Sequence, residues 1–501
     1  METLQNLIMG FGVALTPENL TYAFLGCVWG TLVGIMPGIG PAAGTALLIP
    51  MTFHIPATGA IIMLSAIFYG SQYGGTITTV LLNVPGEASS VVTMLDGHQM
   101  AKQGRAGKAL SVAALGSFFG GTVATIGLVL AAPPLAKLAL NLGPPEFFSL
   151  IVMGLSLGMG LAGKSLLKSL MVGVFGLFIS LVGLDSVQGT PRFTFEQEEL
   201  LDGLEFISVI IGLFGLSDIL ENIEAEARRV VTTTMKGLIP SRKDVTDSIG
   251  PVLRGTIVGF FLGILPGMGV AVSSFMSYVV ERRVSKYPER FGTGIIEGVA
   301  GPETANNAHA NSALIPMFTL GIPSAPVMAV LMSAFIINGL SPGPQLFKER
   351  PDLVWGVIAS LYIGNIMLLI LNLPLIPMWV QVMKIPYGIL FAVILGIMIV
   401  GSYSANNTIF DVWVMIGFGV LGYILKKLKF PLAPAILTFI LGPMMEHSLY
   451  RALVMSQGDM SIFVTRPISL AFLILAAVIF LSFALRALPF GAGAVRADAE
   501  V

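Results

Sequence analysis

Gly30-Thr-Leu-Val-Gly34-Ile-Met-Pro37-Gly38-Ile-Gly40 and Gly259-Phe-Phe-Leu-Gly263-Ile-Leu-Pro266-Gly267-Met-Gly269 share one pattern, G-x-x-x-G-I-x-P-G-x-G, at an offset of 229 residues (263 − 34). Each copy lies in an apolar run where a membrane helix is expected. Proline removes an amide donor and glycine loosens the backbone, so P-G-x-G opens a helix at that point. Unwound backbone survives in a bilayer only where protein or a water-filled cavity covers it. Paired interruptions in corresponding halves of a chain point to the binding site of a transporter. The plainer alternative is two glycine-rich packing seams, since G-x-x-x-G alone is common between membrane helices.

Soluble domains carry roughly 25% charged residues. This chain of 501 residues carries 11%, against 55% hydrophobic and a mean hydropathy of +0.86. The composition predicts an all-α polytopic membrane protein, multi-pass in a lipid bilayer. A formal net charge of −1 gives no sign of nucleic-acid binding. The single cysteine, Cys27, excludes an internal disulfide and any cysteine-rich metal site. The first Lys or Arg is Lys102, so the basic start of a cleavable signal peptide is missing.

Lys and Arg gather in short cytoplasmic loops, which orients the apolar runs. Residues 1–19 hold Glu2 and Glu18 but no basic residue and are expected outside. The runs 20–53 and 57–84 lead to a basic turn with Lys102, Arg105 and Lys108. The runs 109–132, 147–163, 166–184 and 204–220 follow, with a Pro-rich loop after residue 132 and an acidic outer loop over residues 185–202. Four units result: a first membrane repeat (1–225), a cytoplasmic connector (226–254) with Arg228, Arg229, Lys236, Arg242 and Lys243, a second membrane repeat (255–487) and a C-terminal tail (488–501). Arg254 and the cluster Arg282, Arg283, Lys286 and Arg290 flank the second motif on both sides, which suits a re-entrant hairpin better than a crossing. Arms of about 12 residues reach about 18 Å at 1.5 Å per residue, near the midplane. The first motif is then approached from outside and the second from the cytoplasm. The prediction is two related halves, arranged as inverted repeats with broken helices or re-entrant hairpins. A duplication in the same orientation stays open.

Behind each motif comes a polar string and a second proline. The first half has Ser71, Gln72 and Thr76, then Asn83, Pro85, Gly86, Ser89 and Ser90. The second has Asn306, Asn307 and Asn311, then Gly321, Pro323 and Ser324. Helical hydrogen bonding is expected to lapse there, with the polar strings and His309 in the interruptions. Helix N-termini suit a carboxylate, and freed carbonyls with hydroxyl and amide oxygens suit Na⁺. No Lys or Arg falls inside the motifs, so the expected substrate and ion site is built from Pro37, Gly38, Gly40, Pro266, Gly267, Gly269 and the polar residues just named. The alternative is that these residues only cap broken helices.

Glu87, Asp96, Glu297 and Glu303 are the carboxyls nearest the motifs, and Glu303 is the expected proton-linked group. His54, His98 and His447 are scattered and form no metal site. No H-E-x-x-H, G-x-S-x-G or Walker motif is present, so metalloprotease, hydrolase and ATP-driven pump lack their parts. No enzyme activity and no cofactor are expected beyond a coupling ion, Na⁺ or H⁺. A passive anion channel and a non-transporting membrane enzyme or scaffold are the rivals.

The two P-G-x-G stretches, Tyr69-Gly-Ser-Gln-Tyr-Gly-Gly75, Asn83-Val-Pro85-Gly86-Glu87, Asp96-Gly97-His98-Gln-Met-Ala-Lys102-Gln-Gly104, Pro302-Glu303-Thr-Ala-Asn306-Asn307-Ala308 and Leu320-Gly321-Ile-Pro323 resemble the large permease subunit of tripartite tricarboxylate transporters, the TctA type. The resemblance covers nearly the whole chain. It implies a secondary transporter of the bacterial inner membrane that works with a small membrane subunit (TctB type) and a periplasmic solute-binding protein (TctC type). It also implies a small carboxylate substrate such as citrate, symport with Na⁺ or H⁺, and an elevator-like motion of the hairpin-bearing core. One departure stands out. Members of that family commonly carry Gly-Gly after Asn-Asn-Ala, where this chain has His309-Ala-Asn311-Ser312, so its ligand can differ from citrate.

Overall fold

The computed structural model describes residues 2–36, 39–161, 165–185, 189–223, 237–265, 267–383 and 387–487. Pro37, Gly38 and Pro266 lie outside the described residues, as do Arg228, Arg229 and Lys236 of the expected connector and the expected tail.

Thr16 accepts the amide of Asn19, and Pro17 takes a helical position where its missing N–H costs nothing. A leading helix therefore runs Pro17–Ile35 and stops at Met36, which is extended (φ −86°, ψ 104°). The chain then turns back through a short returning helix, Gly40–Ala46. Trp29 Nε1 donates to Gly44 O at 2.9 Å and ties the two arms together. The return is complete by Gly59, where a Cβ would touch Tyr22 and Asn19 near the start of the leading helix. From there a backing helix, Ala57–Leu82, runs in the same direction as the leading one. The first motif is thus the tip of a hairpin.

The second half repeats this plan. Ser241 and Asp244 form a reciprocal capping box that starts the leading helix Arg242–Ile264. Leu265 is extended, Gly267 has φ +80°, and Gly269 caps the returning helix Val270–Val284. Arg254 Nε donates to Glu281 Oε1 at 2.9 Å, which fixes the two arms against each other. The backing helix is Glu297–Ser312, continued by Leu314–Leu320.

The packing inside the two halves is the same, residue for residue. A Cβ on Gly26, Gly30 or Gly34 would strike the carbonyl oxygens of Met63, Ile67 and Ser71; on Gly255, Gly259 or Gly263 it would strike those of Gly301, Ala305 and His309. The glycines match at an offset of 229 (255 − 26) and the carbonyls at 238 (301 − 63), because the second hairpin's returning arm is nine residues longer (238 − 229). With lipid on the outside, no hydrophobic gain drives helices together, and close backbone approach at small residues supplies the contact instead.

The described residues are overwhelmingly helical, with one two-residue ladder, Gly183–Leu184 against Pro191–Arg192. Among the described residues, five helices are long and apolar enough to cross a membrane: Ala106–Ala139, Arg242–Ile264, Pro351–Asn372, Ile409–Lys427 and Pro467–Leu485. The chain is an all-α membrane protein.

Several expectations need correction. The Pro-rich stretch after residue 132 is not a loop: Ala106–Ala139 continues through Pro133 and Pro134, held by the buried Ala132, Ala136 and Ala139. The polar strings are not interruptions. Ser71–Thr76 lies inside Ala57–Leu82, and Asn306–Ser312, with His309, inside Glu297–Ser312. Their side chains bond to one another and to neighbouring helices, so backbone pairing is untouched. The run 204–220 is divided by a π-helical segment, Ile211–Leu216, a local widening often found at functional positions.

Asp96-Gly97-His98 and the residues after it grip the other half. The buried Asp96 carboxylate accepts the amides of Gly292, Gly294 and Ile295 at 2.8–3.0 Å and the hydroxyl of Tyr278 at 2.9 Å. Gln103 Nε2 donates to Thr293 O at 2.7 Å, and Arg105 to Gly294 O at 3.2 Å. The loop that starts the second backing helix is therefore held by the first half.

Candidate functional site: a cavity between four helix breaks

Each half contains two breaks. The first is the hairpin tip. The second ends the backing helix at a left-handed residue, Asn83 (φ 56°, ψ 34°) or Gly321 (φ 68°, ψ 27°), two positions before Pro85 or Pro323. Glycine and asparagine tolerate that conformation and each stops a helix with it. After each break a helix or 3-10 turn begins: Gly40–Ala46, Ala88–Ser90, Val270–Val284 and Pro326–Ile337.

All four new starts face one cavity of about 380 Å³. Its wall is formed by residues 39–43, 85–89, 269–271 and 325–327, with Phe68, Phe214 and Asp218. The first amides of a helix have no partner within it and carry partial positive charge; Val270–Val284 and Pro326–Ile337 are long enough to bring such ends to the cavity, while the Ser90 amide of the Ala88–Ser90 turn is already taken by Glu87. The side chains are mostly apolar, and Glu87, Ser89 and Asp218 are the polar ones. Asp218 is ion-paired with Lys426, which also lies 3.7 Å from Glu221.

Of the residues expected at the site, Gly40, Pro85, Gly86, Ser89 and Gly269 form the wall. Behind it stand Ser71 and Gln72: Gln72 Nε2 donates to Glu87 Oε1 at 2.7 Å, and Ser89 donates to Gln72 Oε1 at 2.8 Å. Ser90 receives the hydroxyl of Thr79 at 2.7 Å. Gly267 packs on the backbone of Gly154 and Gly158 instead of facing the cavity.

The remaining residues sit elsewhere. Glu303 is fully buried and accepts from Thr76 Oγ1 at 2.5 Å, Thr93 Oγ1 at 2.6 Å and Asn306 Nδ2 at 3.0 Å. Asn307 donates to Asn306 Oδ1 at 2.5 Å and Asn311 to Gly121 O at 2.9 Å, while Ser324 donates to Ala313 O at 3.4 Å. His309 meets Ser273 at 2.6 Å. None of them lines the cavity. Sequence reading missed Phe68, Phe214, Val270 and Val327, because an apolar residue in an apolar run carries no signal. Glu87 was visible only as one carboxyl among several.

The sequence signature of the Tripartite tricarboxylate transporter TctA family matches residues 20–437. Two proteins of Agrobacterium vitis are similar to this chain. An "Uncharacterized 52.8 kDa protein in TAR-I ttuC' 3'region" is 50% identical over 474 residues, 94% of each chain. An "Uncharacterized protein in TAR-II ttuC' 3'region" is 51% identical over 215 residues, 43% of this chain and 89% of its own. No solved structure matches. With its signature matched across most of its length and its motifs built into one set of helix breaks, the chain belongs to the tripartite tricarboxylate transporter TctA family.

Proposed function

We propose that this chain is the large membrane subunit of a secondary transporter of the bacterial inner membrane, importing organic di- or tricarboxylates by ion-coupled alternating access. A periplasmic solute-binding protein delivers the substrate, and a small membrane subunit completes the complex. The observation that carries this reading is the single cavity shared by four helix breaks, two from each half.

The two halves are taken as inverted repeats. Support comes from the backing helices, which match at an offset of 238 yet run in opposite directions. Thr76 meets Glu303, and further along Val80 and Val299 both come within reach of a side chain at Gly97. One number rises from 76 to 80 while the other falls from 303 to 299. Two such halves, each with a hairpin tip at the cavity, give a core that can open to either side in turn.

Magnitudes favour coupling to a cation. Each full helix end stabilises a nearby negative charge by roughly 0.3–1 kcal/mol, so Val270–Val284 and Pro326–Ile337 contribute about 0.6–2 kcal/mol. An ionised Glu87 taken at about 6 Å from a guest carboxylate opposes it by about 3 kcal/mol at an effective dielectric of about 20. The repulsion is the larger. A bound guest therefore needs a positive charge brought with it, Na⁺ or H⁺.

The test uses the chain with its two partner proteins in liposomes and ¹⁴C-citrate as probe. Uptake that requires both the binding protein and an imposed Na⁺ or H⁺ gradient supports the reading. Flux that ignores the gradient and exceeds carrier turnover makes the protein a channel. Absence of flux for every carboxylate tried makes it an enzyme or scaffold.

A further inference from the structure

We infer that Glu87 is the proton carrier of this protein: its carboxyl takes a proton from the outer water as the anionic guest enters and releases it to the inner water as the guest leaves. The inference rests on the reading of the cavity as a carboxylate site. It assigns the coupling ion and the atom that carries it, and moves that role from Glu303 to the cavity wall.

Two carboxyls face the cavity. Asp218 already has Lys426 as its counter-charge. Glu87 has no Lys, Arg or His partner among the described residues; its carboxyl meets Gln72, Ser71 and Ser89, and the Ser90 amide closes a capping box on it. What can occupy it is decided by Gln72. Ser89 has one hydroxyl hydrogen and directs it to Gln72 Oε1, so the Gln72 amide turns its N–H toward Glu87 Oε1. The Gln72 N–H takes up Oε1, which leaves Oε2 and Ser71 Oγ, fewer than the about six oxygens that a hard cation gathers. A proton fits the other oxygen. Glu87 Oε2 lies 3.4 Å from Ser71 Oγ, whose own hydrogen goes to Phe68 O at 2.7 Å. Ser71 Oγ can donate to Oε2 while the carboxyl is ionised, and with its hydrogen on Phe68 O it offers the lone pair that a protonated Oε2 requires.

The surrounding elements leave Glu87 as the group free to change charge. On the second backing helix, Glu297 stands at the first residue and off the cavity wall, and Glu303 is closed off from the cavity by three donors that all suit its ionised form. On Thr93–Lys102, Asp96 is held by three amides and a tyrosine, and His98 Nδ1 lies 3.0 Å from Val80 O. On the second returning helix, Glu281 is paired with Arg254, and Ser273 meets His309. Tyr69 and Tyr73 share the helix of Gln72, and Tyr73 donates to Asn365 Oδ1 at 2.7 Å. Gly40–Ala46, Ile211–Leu216 and Pro326–Ile337 bring no titratable side chain. An ionised Glu87 with a guest in place faces negative charge on both sides, from Glu303 behind and the guest in front. Protonation removes that conflict. In the cycle an O–H bond forms at Oε2 with a proton from outside and breaks with its return to water inside; no electrons move.

The experiment uses the full complex in liposomes loaded with a pH-sensitive dye, ¹⁴C-citrate as probe, and a citrate-exchange assay run between about pH 5.5 and 8. Wild type is expected to accumulate citrate under an acid-outside gradient, to acidify the lumen as citrate enters, and to show a pH midpoint in exchange. Glu87→Gln is expected to lose gradient-driven accumulation by at least about tenfold and to show no pH midpoint in whatever exchange remains. Gln72→Leu, which removes the donor to Oε1, is expected to keep a midpoint but move it to higher pH by about one unit. A merely structural role would slow that variant without moving the midpoint. Wild-type accumulation driven by a Na⁺ gradient with pH clamped and no lumen acidification would overturn the inference and leave the transport reading intact. So would a Glu87→Gln variant with wild-type pH dependence, or an unmoved midpoint in Gln72→Leu. Wild type that exchanges neither citrate nor any of a panel of di- and monocarboxylates would overturn both.

Discussion

Thr76 Oγ1 lies 2.5 Å from Glu303 Oε2, so a hydroxyl of the first half donates to a buried carboxylate of the second across 227 residues of sequence. Thr93 and Asn306 complete the set. Removing one donor leaves the carboxylate short of a hydrogen bond it cannot replace from water. Thr76→Val is therefore expected to cost about 1–3 kcal/mol and to lower the unfolding midpoint in detergent. A double-mutant cycle with Glu303→Gln separates the pair's coupling from the loss of either side chain alone. Thr76→Val with wild-type stability would show that this contact contributes nothing.

Asp96 makes a second bond between the halves, through backbone. Its carboxylate gathers the amides of Gly292, Gly294 and Ile295, and bonds to a charged acceptor are about twice as strong as neutral ones. Asp96→Asn keeps the shape but loses the charge and turns an N–H toward some of those amides. Hydrogen exchange read on Gly292, Gly294 and Ile295 is expected to speed up by at least about tenfold, with the returning helix Val270–Val284 little changed. Equal exchange in variant and wild type would mean the loop is held by Gln103 and Arg105 instead.

Much of this architecture could be read from the sequence because helix breaks leave a local mark. Pro-Gly pairs, Asn83 and Gly321 announce themselves by residue type, and the 229-residue offset announces the duplication. The polar strings were misread for a physical reason. Ser71 to Thr76 and Asn306 to Ser312 look like helix breakers in an apolar run, but in the fold Thr76, His309 and Asn311 find partners on other helices, Gln72 reaches Glu87, and Asn306 and Asn307 bond within their own helix, which only the tertiary structure reveals. The same holds for the cavity wall. Phe68, Phe214 and Val327 have no sequence signature, and Glu87 rises above the other carboxyls only once Gln72 and Ser89 are seen beside it.

The matched glycines allow a test of whether the halves do the same work. A Cβ at Gly34 would strike the carbonyl of Ser71, and one at Gly263 that of His309. Nothing stands within reach of a Cβ at Gly396. Gly34→Ala and Gly263→Ala are each expected to push a hairpin off its backing helix at about 1–3 kcal/mol and to reduce citrate uptake by similar factors. Gly396→Ala should leave both stability and uptake unchanged. Preserved uptake in either of the first two, in protein that is still folded, would remove that hairpin from the transport path.

Access to the cavity can be probed directly, because Cys27 is buried and donates to Gly364 O at 3.6 Å. It should not react with a water-soluble maleimide, so wild type supplies a low background. Ala88→Cys on the first half and Val270→Cys on the second put a thiol on the same cavity wall, Ala88 being exposed there. Ile315→Cys puts one in fully buried packing. The first two are expected to label and the third to remain unlabelled. A carboxylate that occupies the cavity should slow labelling of both wall positions together, since one guest near four helix breaks shields either side. Protection of only one of them would mean that the two hairpin tips serve separate pockets.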